Sequence, residues 1–375
     1  MTDLGHDLAG RRVLLVLATS AGGTGRHVSV LADALSDAGV HVVVACPPAT
    51  AERFGFADSR NGYVPVRISG RPHPWHDVQT MATLRRVART ADLVHAHGLR
   101  AGLLAGLAAA LPRPLVVTWH NAVLSGGGGA RLSGLLERRV ARRADISLCV
   151  SPDLETRVRS LGGRDVRYAP VSAPPAAAVR RTRAEVLAEL GAGVRPVILT
   201  VARLHPQKGY PWLLQAAGRL RDRSPVPLFV AVGDGPSESE MLEEIEASAL
   251  PVRILGRRSD VPDLLQAADM MVLPSVWEGS PLAAQEALRA GVPFVGTTAG
   301  GLPALVGDGG VLVPPRDARA LADAISQILD DPAYASALRL RALSAASRLP
   351  TDARVVAQIG EAYTSLLPDA PEPTS

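Results

Sequence analysis

The chain holds 375 residues, more than one hydrophobic core usually supports and suited to two domains. An apolar share of 47% with 20% charged residues excludes a disordered or fibrous chain. The formal charge of +4 divides unevenly: residues 1–172 carry 21 arginines against 13 acidic residues, a net +8, and the remainder is −4. The apolar stretch Ala101 to Leu111 is too short to span a bilayer, and the polar first ten residues lack a secretory apolar region, so a cytoplasmic chain is expected. Cys46 and Cys149 each sit in an apolar run and read as free core thiols.

Apolar runs of strand character alternate with longer helical segments, the pattern of βαβ units and a mostly parallel sheet. In the first half, strands are predicted near Val13 to Ala18, His41 to Ala45, Leu93 to Ala96, Leu115 to Thr118, Ile146 to Val150 and Val166 to Tyr168. In the second they fall near Val197 to Val201, Leu228 to Val232, Arg253 to Leu255, Met270 to Leu273, Phe294 to Gly296 and Val311 to Val313. Three helices run into an Ala-Asp pair before a strand: Ala91-Asp92, Ala144-Asp145 and Ala268-Asp269. The proline-rich stretch Ala169 to Ala177 marks the boundary between domains 1–172 and 173–349. An amphipathic segment, Asp352 to Leu367, returns to complete the first domain over about 350–367, and 368–375 is expected to be a disordered tail.

Doubly wound sheets bind ligands beyond the carboxyl ends of their strands, so the loops there are the places to look for chemistry. The first is Thr19-Ser20-Ala21-Gly22-Gly23-Thr24-Gly25, where glycines let backbone approach a phosphate. It matches neither the dinucleotide fingerprint nor the Walker pattern. The second is Ala202-Arg203-Leu204-His205-Pro206-Gln207-Lys208-Gly209, with two cations placed to clamp a diphosphate and stabilise it as a leaving group. Lys208 is the only lysine beside 39 arginines, so a generic basic surface position would have been arginine. The third is Pro274 to Ala287, which turns at Glu278-Gly279, passes Ser280, enters a helix near Pro281 and carries Glu286 inside that helix. Carboxylates there accept from sugar or ribose hydroxyls; a helix-dipole carboxylate with a surface glutamate is the plainer alternative.

The glycine-rich first turn, the Arg-x4-Lys loop and the Glu-x7-Glu segment occur in the order seen in retaining GT-B glycosyltransferases of family 4. The chain resembles that family over most of its length, with support from Val232-Gly233-Asp234-Gly235-Pro236, Leu255-Gly256-Arg257 and Ala299-Gly300-Gly301-Leu302-Pro303. The resemblance implies two Rossmann-like doubly wound α/β domains facing across a cleft, an acceptor-binding first domain and a nucleotide-sugar-binding second. It implies that Arg203 and Lys208 hold the donor diphosphate, Glu278 the sugar and Glu286 the ribose. Gly279, Ser280, Pro281 and Leu282 would lie at the phosphate, with Gly22 and Gly23 opposite, Gly233 nearby and Arg257 at the base. His120, in Thr118-Trp119-His120-Asn121, would face the donor sugar. Ser280-Pro281 departs from the family's usual Phe-Gly and removes an amide donor at 281. Ala169-Pro170 replaces the usual Asn-Gly turn before the linker, so the resemblance does not extend to the hinge contacts.

A hexosyltransferase with retention is the expected activity, with a nucleoside diphosphate sugar as co-substrate, UDP- or GDP-linked, and no cofactor. No Asp-x-Asp occurs in the sequence, so no metal is expected at the diphosphate. His95 and His97 have metal-like proximity but are placed on opposite faces of a strand and read as cleft-edge or structural residues. Other GT-B chemistry, an epimerase or phosphorylase, and a non-catalytic nucleotide-sugar-binding subunit are the rivals; a dinucleotide oxidoreductase is disfavoured because Ala45-Cys46-Pro47 lacks the acid expected after the second strand. The acceptor is left open, a lipid, glycan or small molecule; Arg71 to Asp77 and Leu124 to Arg131 are the expected acceptor loops, with Gly126 to Gly129 as a lid. Arg131, Arg138, Arg139, Arg142 and Arg143 around Leu132, Leu135, Leu136 and Val140 form a basic amphipathic helix of the kind that rests on an anionic membrane face; an ordinary surface helix would look similar. No nucleic-acid partner is expected, and the chain is read as a monomer or weak homodimer.

Overall fold

The computed structural model describes residues 8–20, 22–70, 72–108, 113–122 and 128–367, with the side chains of 128–132 excepted. The expected tail at 368–375 lies outside the described residues. The chain divides into two compact units, residues 1–172 with 350–375, and residues 173–349.

In the first unit the strands are β1 (Arg12–Leu17), β2 (His41–Cys46), β3 (Gly62–Pro65), β4 (Leu93–His97), β5 (Leu115–Trp119), β6 (Ile146–Cys149) and β7 (Asp165–Tyr168). They form one parallel sheet in the order β3-β2-β1-β4-β5-β6-β7. In the second unit β8 (Val197–Val201), β9 (Leu228–Val232), β10 (Val252–Ile254), β11 (Met270–Leu273), β12 (Phe294–Thr297) and β13 (Val311–Val313) pair in the order β10-β9-β8-β11-β12-β13, again all parallel. Strands such as Leu93–His97 and Leu228–Val232 are buried at every position, because helices cover both faces. That is why they read as unbroken apolar runs. Only β3 escapes the sequence reading: it is four residues long, bounded by Gly62 and Pro65, and pairs with β2 alone at the sheet edge.

Each Ala-Asp pair does the same work. Asp92 accepts from Arg12 N at 2.8 Å, Asp145 from Leu115 N at 2.8 Å, and Asp269 from Val197 N at 2.7 Å. In each case the aspartate's own N–H donates to the carbonyl of that same residue, at 2.8–2.9 Å. The carboxylate thus supplies the first rung of the ladder at the start of a neighbouring strand, while the alanine packs in the core.

The helix Asp352–Thr364 belongs to the first unit although it follows the second in sequence. Thr351 caps it, and Val355, Val356, Ile359, Ala362 and Tyr363 join the core formed with β1, β2 and the helix Gly23–Asp37. Asp352 pairs with Arg26 at 3.3 Å and accepts from Ser172. In the second unit Thr182 and Glu185 make a reciprocal capping box on the helix Arg183–Glu189, beyond the proline-rich boundary. Among the described residues no helix is long and apolar enough to cross a membrane.

Candidate functional site

In the second unit the strand order reverses between β8 and β11, where a doubly wound sheet leaves a crevice beyond its strand ends. The loops after β8, β11 and β12 meet there at backbone level. Gly209 adopts φ 74°, and a Cβ on it would collide with the carbonyl oxygen of Pro274. Gly300, at φ 59°, stands likewise against the carbonyl of Glu278, which accepts from Gly301 N at 2.8 Å. Only glycine allows both the left-handed backbone and the close approach. Val276 N donates to Gln207 O at 2.9 Å, and the Gln207 amide to Trp277 O at 3.0 Å, so the loops are tied together.

This framework brings Lys208 onto Glu278. Lys208 Nζ donates to both carboxylate oxygens, at 2.7 and 2.9 Å, and Ser275 Oγ donates to Oε1 at 2.6 Å. Thr297 Oγ1 in turn bonds Ser275 O at 2.6 Å. Glu278 is 4% exposed, and a carboxylate so buried needs close donors such as the ammonium and hydroxyl that meet it here. An ammonium has three N–H donors, which leaves Lys208 at least one for a phosphate oxygen. Arg203 stands exposed on the same loop, with no ion pair among the described residues. His205, between the two cations, has its pKa lowered by burial first and then by Arg203 and Lys208, so the loop is electropositive. Burial, then the Glu278 charge, raises the Tyr210 phenol.

Gly279 is buried and Ser280 half-buried. Pro281 caps the helix Leu282–Arg289 at φ −68°, ψ 118°, rather than opening it, so the first helical amide belongs to Leu282. Glu286 lies half-buried inside that helix. Beside it the buried Gln285, which the sequence reading passed over, accepts from Ala173 N at 2.9 Å and donates to Ser280 Oγ at 3.2 Å. Ser275 was also missed. Its signal was present, since it is the second residue after β11 on the loop already marked by Glu278. Gly233 closes β9 and donates to Gly256 O at 2.8 Å. Arg257 reaches Asp234 at 3.7 Å with both more than half exposed, a contact worth little.

In the first unit the reversal falls between β1 and β4. Gly22 caps the helix Gly23–Asp37 and faces open space, while Gly25 N donates to Ser20 Oγ at 3.0 Å. Gly23 begins the helix and is half-buried. His120 does not stand alone. It follows β5 directly and lies with His97, the last residue of β4, and His27, on the helix Gly23–Asp37. The rings of each pair are 5.5 Å apart between centroids. His97 Nδ1 and His120 Nε2 share a hydrogen bond of 3.2 Å. The expectation that His95 and His97 occupy opposite faces is wrong: residues two apart on a strand share a face, and their rings lie 4.1 Å apart. Both His95 nitrogens are taken, by Tyr363 OH and Thr118 Oγ1 at 2.7 Å each. Burial lowers the pKa of His27 to about 4, and burial with the neighbouring rings holds His95, His97 and His120 well below the usual value. Among the described residues, His27 Nε2 and His97 Nε2 are buried without a hydrogen-bond partner, an omission that typically costs ~1–3 kcal/mol per group.

Elsewhere, burial drives the Cys46 and Cys149 thiols up to about 12, and both are free. The expected acceptor loops differ from the reading. A helix begins at Pro74 with His73 as its cap, and Gly128 and Gly129 open the helix Gly128–Arg143 instead of forming a lid. Arg71 and residues 123–127 lie outside the described residues. On that basic helix Arg138, Arg139 and Arg142 are exposed beside Leu135, which is 65% exposed, while Val140 is buried.

The family model described as "Glycosyl transferases group 1" matches residues 195–331, and that of a "Glycosyl transferase 4-like domain" matches residues 22–174. The chain is 30% identical over 368 residues to a glycogen synthase of Mycobacterium tuberculosis, covering 88% of this chain and 87% of that one. It is 32% identical over 325 residues to a D-inositol 3-phosphate glycosyltransferase of Corynebacterium urealyticum, covering 78% and 75%. Anabaena HepE, solved in complex with UDP, shares the fold at a TM-score of 0.78 and 22% identity over 95% of this chain and all of that one. The two Rossmann-like units are those of the GT-B fold, and the chain belongs to the group 1 glycosyltransferases as an enzyme of the hexosyltransferase type.

Proposed function

We propose that the protein transfers a sugar, with retention of anomeric configuration, from a UDP- or GDP-linked donor to a lipid, glycan or small-molecule acceptor. The observation that carries this reading is the Lys208–Glu278 pair at the switch point of the second unit. Lys208, held by Glu278, is aimed by that contact and keeps a donor for the diphosphate; Arg203 on the same loop adds a second cation. Glu278 accepts from the sugar hydroxyls and Glu286 from the ribose. Support for a nucleotide-sugar donor also comes from Anabaena HepE, which was solved with UDP and with UDP-glucose.

In the proposed step, the bond from the anomeric carbon to the diphosphate breaks as the acceptor oxygen bonds to that carbon on the same face. The departing phosphate oxygen takes the acceptor proton. Charge developing on the diphosphate meets Arg203 and Lys208, so no bridging metal is called for. The test is a calorimetric and thermal-shift screen against UDP, GDP and ADP with chelator present, run beside Lys208→Ala and Glu286→Ala. Stabilisation by one nucleoside diphosphate, weakened in both variants, is expected. Lys208→Ala should also lower turnover on the order of a hundredfold or more. Turnover near that of the unaltered protein removes Lys208 from the mechanism, and loss of all activity in chelator overturns metal independence.

A further inference from the structure

We infer that the chain associates with a second copy of itself through two oppositely charged helix faces: the basic helix Gly128–Arg143 of one copy lies antiparallel on the acidic helix Glu238–Ala247 of the other. Leu135, Arg138, Arg139 and Arg142 are spaced i, i+3, i+4 and i+7, so they share one face of their helix, and all four are exposed. Glu240, Glu243, Glu244 and Ala247 have the same spacing on theirs and are exposed as well. Glu244 accepts from Ser248 Oγ at 3.2 Å. Among the described residues none of these three arginines and three glutamates is in an ion pair, so their charges are not spent within their own units.

The equal spacing decides the direction. Laid antiparallel, Arg138 meets Glu244, Arg139 meets Glu243, Arg142 meets Glu240, and Leu135 falls on Ala247. Laid parallel, Leu135 would meet Glu240 and Arg142 would meet Ala247, and one of the three charge pairs would be lost. The receiving surface has the shape for a helix. Helix Glu238–Ala247 and helix Tyr210–Arg219 border a groove of about 570 Å3, lined by Glu240, Glu243 and Glu244 and by the buried Leu214 and Met241. On the opposing surface Leu135, 65% exposed, and Leu107, 38% exposed, supply the apolar part. The overall charge points the same way, since residues 1–172 carry +8 and the remainder −4: a basic half attracts the acidic half of another copy and repels its basic half. Three exposed pairs contribute little each and are screened by salt, so the association is weak, reversible and salt-sensitive. It does not rest on the proposed transfer reaction.

The test is sedimentation velocity of the full chain over a roughly hundredfold range of concentration, at about 0.05 M and about 0.5 M salt. The average mass should rise with concentration at low salt, and the affinity should fall about tenfold or more at high salt. Arg138→Glu with Arg139→Glu, and Glu243→Arg with Glu244→Arg, each place like charges opposite one another, and each protein alone should sediment as a monomer. An equal mixture of the two restores every opposite pair and should associate again. The milder Arg139→Gln should weaken association about threefold, and it reads the same contact where a reversed pair fails to fold. A monomer throughout, a reversed variant that associates as the unaltered chain does, or a mixture that stays monomeric overturns the assignment. So does an unaltered chain that stays monomeric and instead sediments with vesicles of anionic lipid, which gives the basic helix to a membrane.

Discussion

A histidine buried as a neutral ring makes a protein sensitive to acid, and among its described residues the first unit holds four of them. Their folded pKa values lie below the unfolded value, so between about 6.5 and about 4 the unfolded chain binds protons that folded His27 refuses. The stability they allow is complete above pH 6.5 and falls as the pH drops. His27 alone should cost ~1.4 kcal/mol per pH unit through that window. Guanidinium unfolding of the first unit at pH 7 and pH 5, in chelator, measures the slope; a midpoint that does not move shows that the rings charge without penalty. Residues of this kind leave the least trace in the sequence. Lys208 and Glu278 stood out because each sits on a loop after a strand and one is the chain's sole lysine. His27 had no such mark. Its ring meets His97 and His120 only through the order in which β1, β4 and β5 lie, and pairwise spacing in sequence carries no trace of that.

At the scale of the element, the aspartates before β4, β6 and β11 show how a strand's first rung is secured. Each carboxylate accepts the backbone N–H of the first residue of a neighbouring strand. Asp145→Ala and Asp269→Ala should each cost ~1–2 kcal/mol, toward the lower end for charged hydrogen bonds because both side chains are partly exposed. Asparagine at the same positions should recover part of the loss. Calorimetry on the variants decides it: Asp145→Ala is expected to lower the transition of the first unit and Asp269→Ala that of the second, and equal effects on both units contradict the local account. The Ala-Asp recurrence was visible in the sequence as punctuation, and its purpose was not, since the partner strands are 80, 30 and 72 positions away. Most strands were legible for a related reason: burial on both faces writes an apolar run. The edge strand β3 is covered less and carries Gly62 and Pro65, so it leaves almost no pattern.

For the whole molecule, the helix Asp352–Thr364 matters most. It places Val355, Val356, Ile359, Ala362 and Tyr363 in the first unit's core and bonds Tyr363 to His95. Removing residues 350–375 should therefore unfold or strongly destabilise the first unit while the second, residues 173–349, keeps its own melting transition. Calorimetry of the truncated chain tests this, and two unchanged transitions show the helix to be dispensable. The second unit has its own sheet and its own cores on both faces.

The route of the chain also sets an order of events at the ribosome. A nascent chain reaches β7 with every strand of the first sheet synthesised, yet a face of its core stays open until the last helix, ending at Thr364, has been synthesised. Domains commonly mature in the order of synthesis. Here the second unit can close first, and the apolar surface around β1, β2 and the helix Gly23–Asp37 waits exposed meanwhile, the period in which this protein most needs a chaperone or fast elongation.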